Sequence, residues 1–173
     1  MERETMEIKL KPIGVVRVKE SDEEIKSKWI KGAKGVIEIF EEYADGLDGI
    51  DGFSHLIVTA YLHKTTEEQR KVIKVKPRRL RHLGINLEEL PEVGVFCTDS
   101  PHRPNPIAIT IVKFIRRRGR LLEVEDLDLF DGTPVLDIKP YTPSRRIEDL
   151  QLPTWYQEVL KKVREKCPEL QDF

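Results

Sequence analysis

From residue 8 to residue 143 the apolar residues fall in short β-branched or aromatic runs, each closed by glycine, proline or charge. The runs are Ile8–Val18 (broken near Pro12 and Gly14), Val36–Phe40, Phe53–Leu62, Val93–Thr98, Ile107–Ile115, Leu121–Leu127 and Val135–Ile138. Short strands at close spacing, with a turn after each, favour an antiparallel or mixed barrel over alternating strand–helix units. No Gly-x-Gly-x-x-Gly follows a run, which argues against a dinucleotide-binding fold.

Within this pattern, Ile107, Ile109, Ile111 and Lys113 share one face, and Ala108, Thr110, Val112 and Phe114 the other; both are largely apolar, which predicts a strand covered on both sides. Arg116–Arg120, with Gly119, reads as a hairpin turn, and Asp131-Gly132 as the turn before the last strand. Ser21–Lys34 is charged, with Ile25, Trp29 and Ile30 as its only anchors, and reads as a short helix or a loop. After Pro143 the period changes. Tyr156, Val159, Leu160 and Val163 repeat at helical spacing, and Thr154 and Gln157 have capping-box spacing. No linker separates two domains. Residues 1–145 are expected to form the barrel and 146–173 a helical appendage packed on it or on a dimer partner.

Charge is dense but balanced: 35% of the 173 residues are charged, for a net −1. Basic residues cluster at Lys74–His82, at Arg116–Arg120 and at Arg145-Arg146, so a nearly neutral chain can still present a positive face to RNA. Cys97 and Cys167 form neither a disulfide framework nor a metal-ligand spacing, and no His-x-x-x-His pair occurs, so no metal is expected. Cys97, inside an apolar run, is expected to be buried. No apolar run approaches the length of a membrane span, and the expected location is cytoplasmic.

Two stretches carry chemistry. The first is Phe96–Pro106, read Phe-Cys-Thr-Asp-Ser-Pro-His-Arg-Pro-Asn-Pro. Its prolines restrict Ser100, Arg103 and Asn105 to extended backbone, giving a stiff polar loop. Such a loop either serves rigidity alone or holds a ligand with little entropy left to lose. The second is Asp126–Tyr141. In a strand starting at Pro134, Val135, Asp137 and Lys139 point to one side, and Tyr141 joins them if pairing runs past Pro140. The Asp137–Lys139 pair is either a strand-end ion pair or a base with its positioning lysine.

Val95-Phe-Cys-Thr-Asp-Ser-Pro-His-Arg-Pro-Asn-Pro-Ile107 resembles one signature of the TsaA-like (YaeB- and VirR-like) family. Leu127-Asp-Leu-Phe-Asp-Gly-Thr-Pro-Val-Leu-Asp-Ile-Lys-Pro-Tyr141 resembles its second, with support from Ile13–Arg17 and Phe53–Leu56. The resemblance implies a mainly β fold, a single-sheeted closed β-barrel with short helices and a C-terminal helix, and a homodimer. It implies S-adenosylmethionine as cofactor and N6-methylation of threonylcarbamoyladenosine beside the anticodon of threonine tRNA. It places cofactor contacts at His63, Lys64, Asp99, Ile109, Glu125, Asp126, Leu127 and Asp128. Asp137, Lys139 and Tyr141 would act on the substrate nitrogen, and His102, Arg103 and Asn105 would shape the pocket or meet RNA. Two departures stand out. Asp99 replaces the arginine usual in relatives, and Lys26-Ser27-Lys28 stands where a Gln-Pro-Gly-like tripeptide is common. They leave a second reading open, a non-catalytic nucleotide- or RNA-binding module on the same barrel.

Overall fold

The computed structural model describes residues 7–28, 30–168 and 170; Trp29 therefore lies outside the described residues. In chain order the elements are β1 (Gly14–Val18), α1 (Asp22–Ser27), β2 (Ala33–Ile39), β3 (His55–Tyr61), α2 (Glu67–Arg70), β4 (Lys74–Val75), β5 (Val93–Gly94), β6 (Ile107–Arg118), β7 (Leu121–Leu127), β8 (Pro134–Pro140) and α3 (Thr154–Lys166). Short 3-10 turns lie between them, notably Glu41–Leu47, Arg78–Leu83 and Val95–Cys97. The chain divides into two compact units, one of residues 1–61 with 109–141 and another of residues 62–108 with 142–173.

The first unit is a closed barrel in the order β1-β2-β7-β6-β3-β8. Alternation fills its interior. Val16, Ile37, Ile39, Leu56, Val58, Val112, Leu122, Val124, Leu127 and Val135 are all buried. β1 begins at Gly14, not at Ile8; Ile8 and Leu10 are exposed and belong to no strand. Ser21 caps α1 through a full capping box with Glu24. β6 is covered on one side only. Val112 and Phe114 face inward, while Ile109, Ile111 and Ile115 are 73%, 49% and 46% exposed, so the expected two-sided cover is absent among the described residues. The β6–β7 hairpin turns at Gly119-Arg120, where Gly119 has φ +61°.

The second unit holds little regular strand. Val93–Thr98 is not one strand but the two-residue β5 followed by a 3-10 turn, and Cys97 is exposed rather than buried. Its core gathers Leu80, Ile85, Leu90, Val95, Val159, Leu160 and Val163. α3 packs its Val159–Val163 face within this unit, against Arg78–Leu83. The expected Thr154–Gln157 capping box does not form. Pro153 occupies the cap position, and Gln157 Nε2 donates to the Leu152 carbonyl at 2.7 Å.

Candidate active site

Strand direction fixes which ends of the barrel strands share a rim. Because neighbours run antiparallel, the C-terminal ends of β1, β3 and β7 lie with the N-terminal ends of β2, β6 and β8. Ile109 near the start of β6, Asp126 and Leu127 at the end of β7 and Asp128 just beyond it lie toward this rim, whereas Asp137 stands at the middle of β8.

On β8 a bulge does the placing. Ala60 pairs with Val135 and Thr59 with Asp137, so Leu136 is the extra residue. Val135 therefore faces the core, fully buried, while Asp137 turns outward with Thr59. The expectation that Val135 would share the face of Asp137 and Lys139 fails for this reason. Lys139 pairs with Ile57 and bonds the Asp137 carboxylate through Nζ. Tyr141 N donates to the His55 carbonyl at 3.1 Å, so pairing does continue past Pro140, and Tyr141 keeps the outward face. It stands four residues beyond Asp137, about 13 Å along the strand. The three residues thus share a face but not one reacting atom.

On β7 the backbone itself is unusual. Ala33 pairs with Leu127 and Gly35 with Val124, which leaves one extra residue on β7. Asp126 absorbs it with φ +64°, the one positive φ outside glycine among the described residues. Gly32, itself at φ +61°, crosses here so closely that a Cβ would sit 2.3 Å from the Asp126 carbonyl carbon. Sequence reading missed this pairing, because aspartate carries no signal for a left-handed bulge as strong as glycine's. Glu125 is bound up elsewhere: Lys34 at 2.9 Å and Lys113 at 3.3 Å hold its carboxyl below the usual range. Leu127 points its side chain into the core, so only its backbone is open to a ligand.

The remaining candidates lie in the second unit, where the structure brings them together. The turn carrying His63 and Lys64 is fastened to the proline loop: Leu62 N donates to the Pro106 carbonyl at 2.7 Å, and Thr65 Oγ1 to the Pro101 carbonyl at 3.5 Å. Arg103 organises the loop from within. Its Nε donates to the Ser100 carbonyl at 2.8 Å, and its Nη2 donates to the carbonyls of Val95 (3.1 Å) and Thr98. Of the two roles expected for Arg103, this geometry matches shaping the loop. His102 is half-buried; burial, then the nearby Arg78 cation, holds its pKa below the ordinary imidazole value. Asp99 and Asn105 are exposed on the same loop.

Comparison with known proteins identifies the family. A family model described as the tRNA-methyltransferase O N-terminal domain matches residues 18–145. A probable S-adenosyl-L-methionine-binding protein of Pyrococcus abyssi is 34% identical over 158 residues, 88% of this chain and 78% of the relative. The mouse tRNA (adenine(37)-N6)-methyltransferase is 42% identical over 89 residues, 51% of this chain but 19% of the mouse protein. Among solved structures, TrmO from P. aeruginosa superposes with a TM-score of 0.63 at 26% identity, covering 88% of this chain and 63% of that one. The match over residues 18–145 takes in β2 to β8 and both signature stretches, and the chain belongs to the tRNA-methyltransferase O N-terminal domain family, the TsaA-like family.

Proposed function

We propose that this chain is an S-adenosylmethionine-dependent tRNA methyltransferase that methylates the N6 nitrogen of threonylcarbamoyladenosine next to the anticodon of a threonine tRNA. The observation that carries the reading is the outward Asp137–Lys139 pair, aimed by the Leu136 bulge and bonded carboxylate to ammonium on the outer face of β8. On the barrel rim the donor chemistry suits the cofactor: the Asp126 and Asp128 carboxylates match an ammonium or a ribose diol, and exposed Ile109 offers a surface to a base. His63 and Lys64, in the second unit, keep the cofactor role that the resemblance implies.

When bound, the cofactor supplies a methyl group already activated on a sulfonium. The protein's part is to position the nucleophile and remove its proton. Asp137 accepts the proton from the attacking nitrogen, and Lys139 holds that carboxylate in place. Tyr141, about 13 Å further along the strand, is assigned to stacking against a splayed base rather than to proton transfer. His102 and Asn105 face RNA from the loop that Arg103 shapes. The exposed Ile111 and Ile115 on β6 supply the apolar face for a homodimer. The cytoplasm is the location that goes with a tRNA substrate. Among the described residues no helix is long and apolar enough to cross a membrane.

The test is transfer of labelled methyl from S-adenosylmethionine to threonine tRNA, with a calorimetric titration of the cofactor alongside. Binding with transfer supports the enzyme. Binding without transfer supports the non-catalytic module, and neither removes both readings.

A further inference from the structure

The two largest arginine clusters have opposite fates. In the β6–β7 hairpin every arginine meets a carboxylate. Arg116 and Arg118 share Glu123 at 2.7 and 3.0 Å, Arg117 reaches Asp48 at 3.3 Å, and Arg120 reaches Glu38 at 2.7 Å and Glu41 at 3.4 Å. A groove of about 450 Å³ opens beside them, lined by Glu41, Arg117, Arg118 and Arg120 among others, but its charge is spent internally.

The 3-10 turn Arg78–Leu83 is built differently. With three residues per turn, side chains at i and i+3 eclipse, so Arg78 stacks with Arg81, Arg79 with His82 and Leu80 with Leu83. Leu80 is 5% exposed and anchors the third edge, while Arg78, Arg79, Arg81 and His82 are exposed. No acidic residue stands in its first turn, and neither Arg78 nor Arg81 enters an ion pair among the described residues. Exposed Lys74 on β4 extends the same basic run. Within this unit the turn adjoins the proline-rich loop, since Arg78 acts electrostatically on His102.

We infer that the Arg78–Arg81 edge is the phosphate-contacting surface for RNA, and that the hairpin arginines are not. Two exposed cations held on a short anchored turn suit the closely spaced charges of a nucleic-acid backbone. Cations already paired to carboxylates release few counterions on binding, so they add little to affinity. The inference rests on the tRNA reading above.

The experiment measures tRNA affinity against salt for the wild type, for Arg78→Gln/Arg81→Gln, and for Arg116→Gln/Arg118→Gln, which changes net charge equally. The first pair should make the slope of log affinity against log salt shallower by about 1.5, with Arg78→Lys/Arg81→Lys retaining the wild-type slope. The hairpin pair should leave the slope unchanged. Cofactor titration of each variant reports whether it is folded. Equal effects from both Gln pairs, or an effect from the hairpin pair alone, would overturn the inference. A wild type that methylates tRNA beside an unaffected Arg78→Gln/Arg81→Gln slope would overturn it while leaving the enzymatic reading intact. A wild type that binds no tRNA would overturn both.

Discussion

The barrel unit closes its backbone hydrogen bonds strand to strand; the second unit closes many of its own through side chains. In the barrel, β2 is paired on one edge by β1 and on the other by β7, and β8 by β1 and β3, so no single side chain holds a strand in place. In the second unit single groups carry whole segments. Arg103 binds three carbonyls of the 95–100 turn, Lys76 Nζ binds the Leu87 carbonyl at 3.0 Å, and Asn86 Oδ1 caps the Leu87–Glu89 turn by accepting from Glu88 N at 3.0 Å. The ring supplies stability, and the irregular unit supplies stiff polar loops. The difference predicts that barrel stability resides in buried volume, and that the second unit answers to the loss of individual polar groups.

The largest effect should come from the ring. Leu56 is fully buried on β3, and Leu56→Ala should cost about 2–5 kcal/mol in denaturant unfolding. A cost near zero would mean that the barrel interior is not the main store of stability. Next is Arg103. Arg103→Gln should cost roughly 2 kcal/mol and raise hydrogen exchange in the Val95–Ser100 segment, because it takes the side-chain donor from the Ser100 and Thr98 carbonyls. Exchange that rises equally across the barrel strands would erase the contrast between the units. The smallest effects separate helix caps. Ser21→Ala and Thr66→Ala should each cost about 1 kcal/mol, and Thr154→Ala much less, since Ser21 and Thr66 accept from their own helices and Thr154 caps nothing.

Those caps also show what a sequence encodes. Ser21–Glu24, Thr66–Gln69 and Thr154–Gln157 all carry capping-box spacing, and only the first two form it. Pro153 decides the third, because a proline already held extended takes the cap position and shifts the helix start by one residue. β7, β8 and the hairpin at Gly119 were legible, because alternation and turn chemistry act between near neighbours. The Val93–Thr98 run was not, since the Val95 carbonyl accepts from Thr98 N, Thr98 Oγ1 and, eight residues on, Arg103 instead of from a strand neighbour. At the candidate site the Asp137–Lys139 pairing was legible from a period of two. Its aim was not, because the Leu136 bulge and the left-handed Asp126 arise from register between distant strands. The basic clusters were visible as composition, but which of them is neutralised depends on Glu38, Asp48 and Glu123, residues that only the fold brings beside them.

The central claim is that Asp137 takes the proton from the methylated nitrogen. The most direct measurement is single-turnover methyl transfer to threonine tRNA by the wild type and by Asp137→Asn, with cofactor affinity measured on both. The exposed ion pair contributes only ~0–1 kcal/mol to folding, so the substitution should leave the fold intact. Transfer by Asp137→Asn should be slower by about 100-fold or more, with cofactor affinity unchanged. Transfer at the wild-type rate would remove Asp137 from the mechanism.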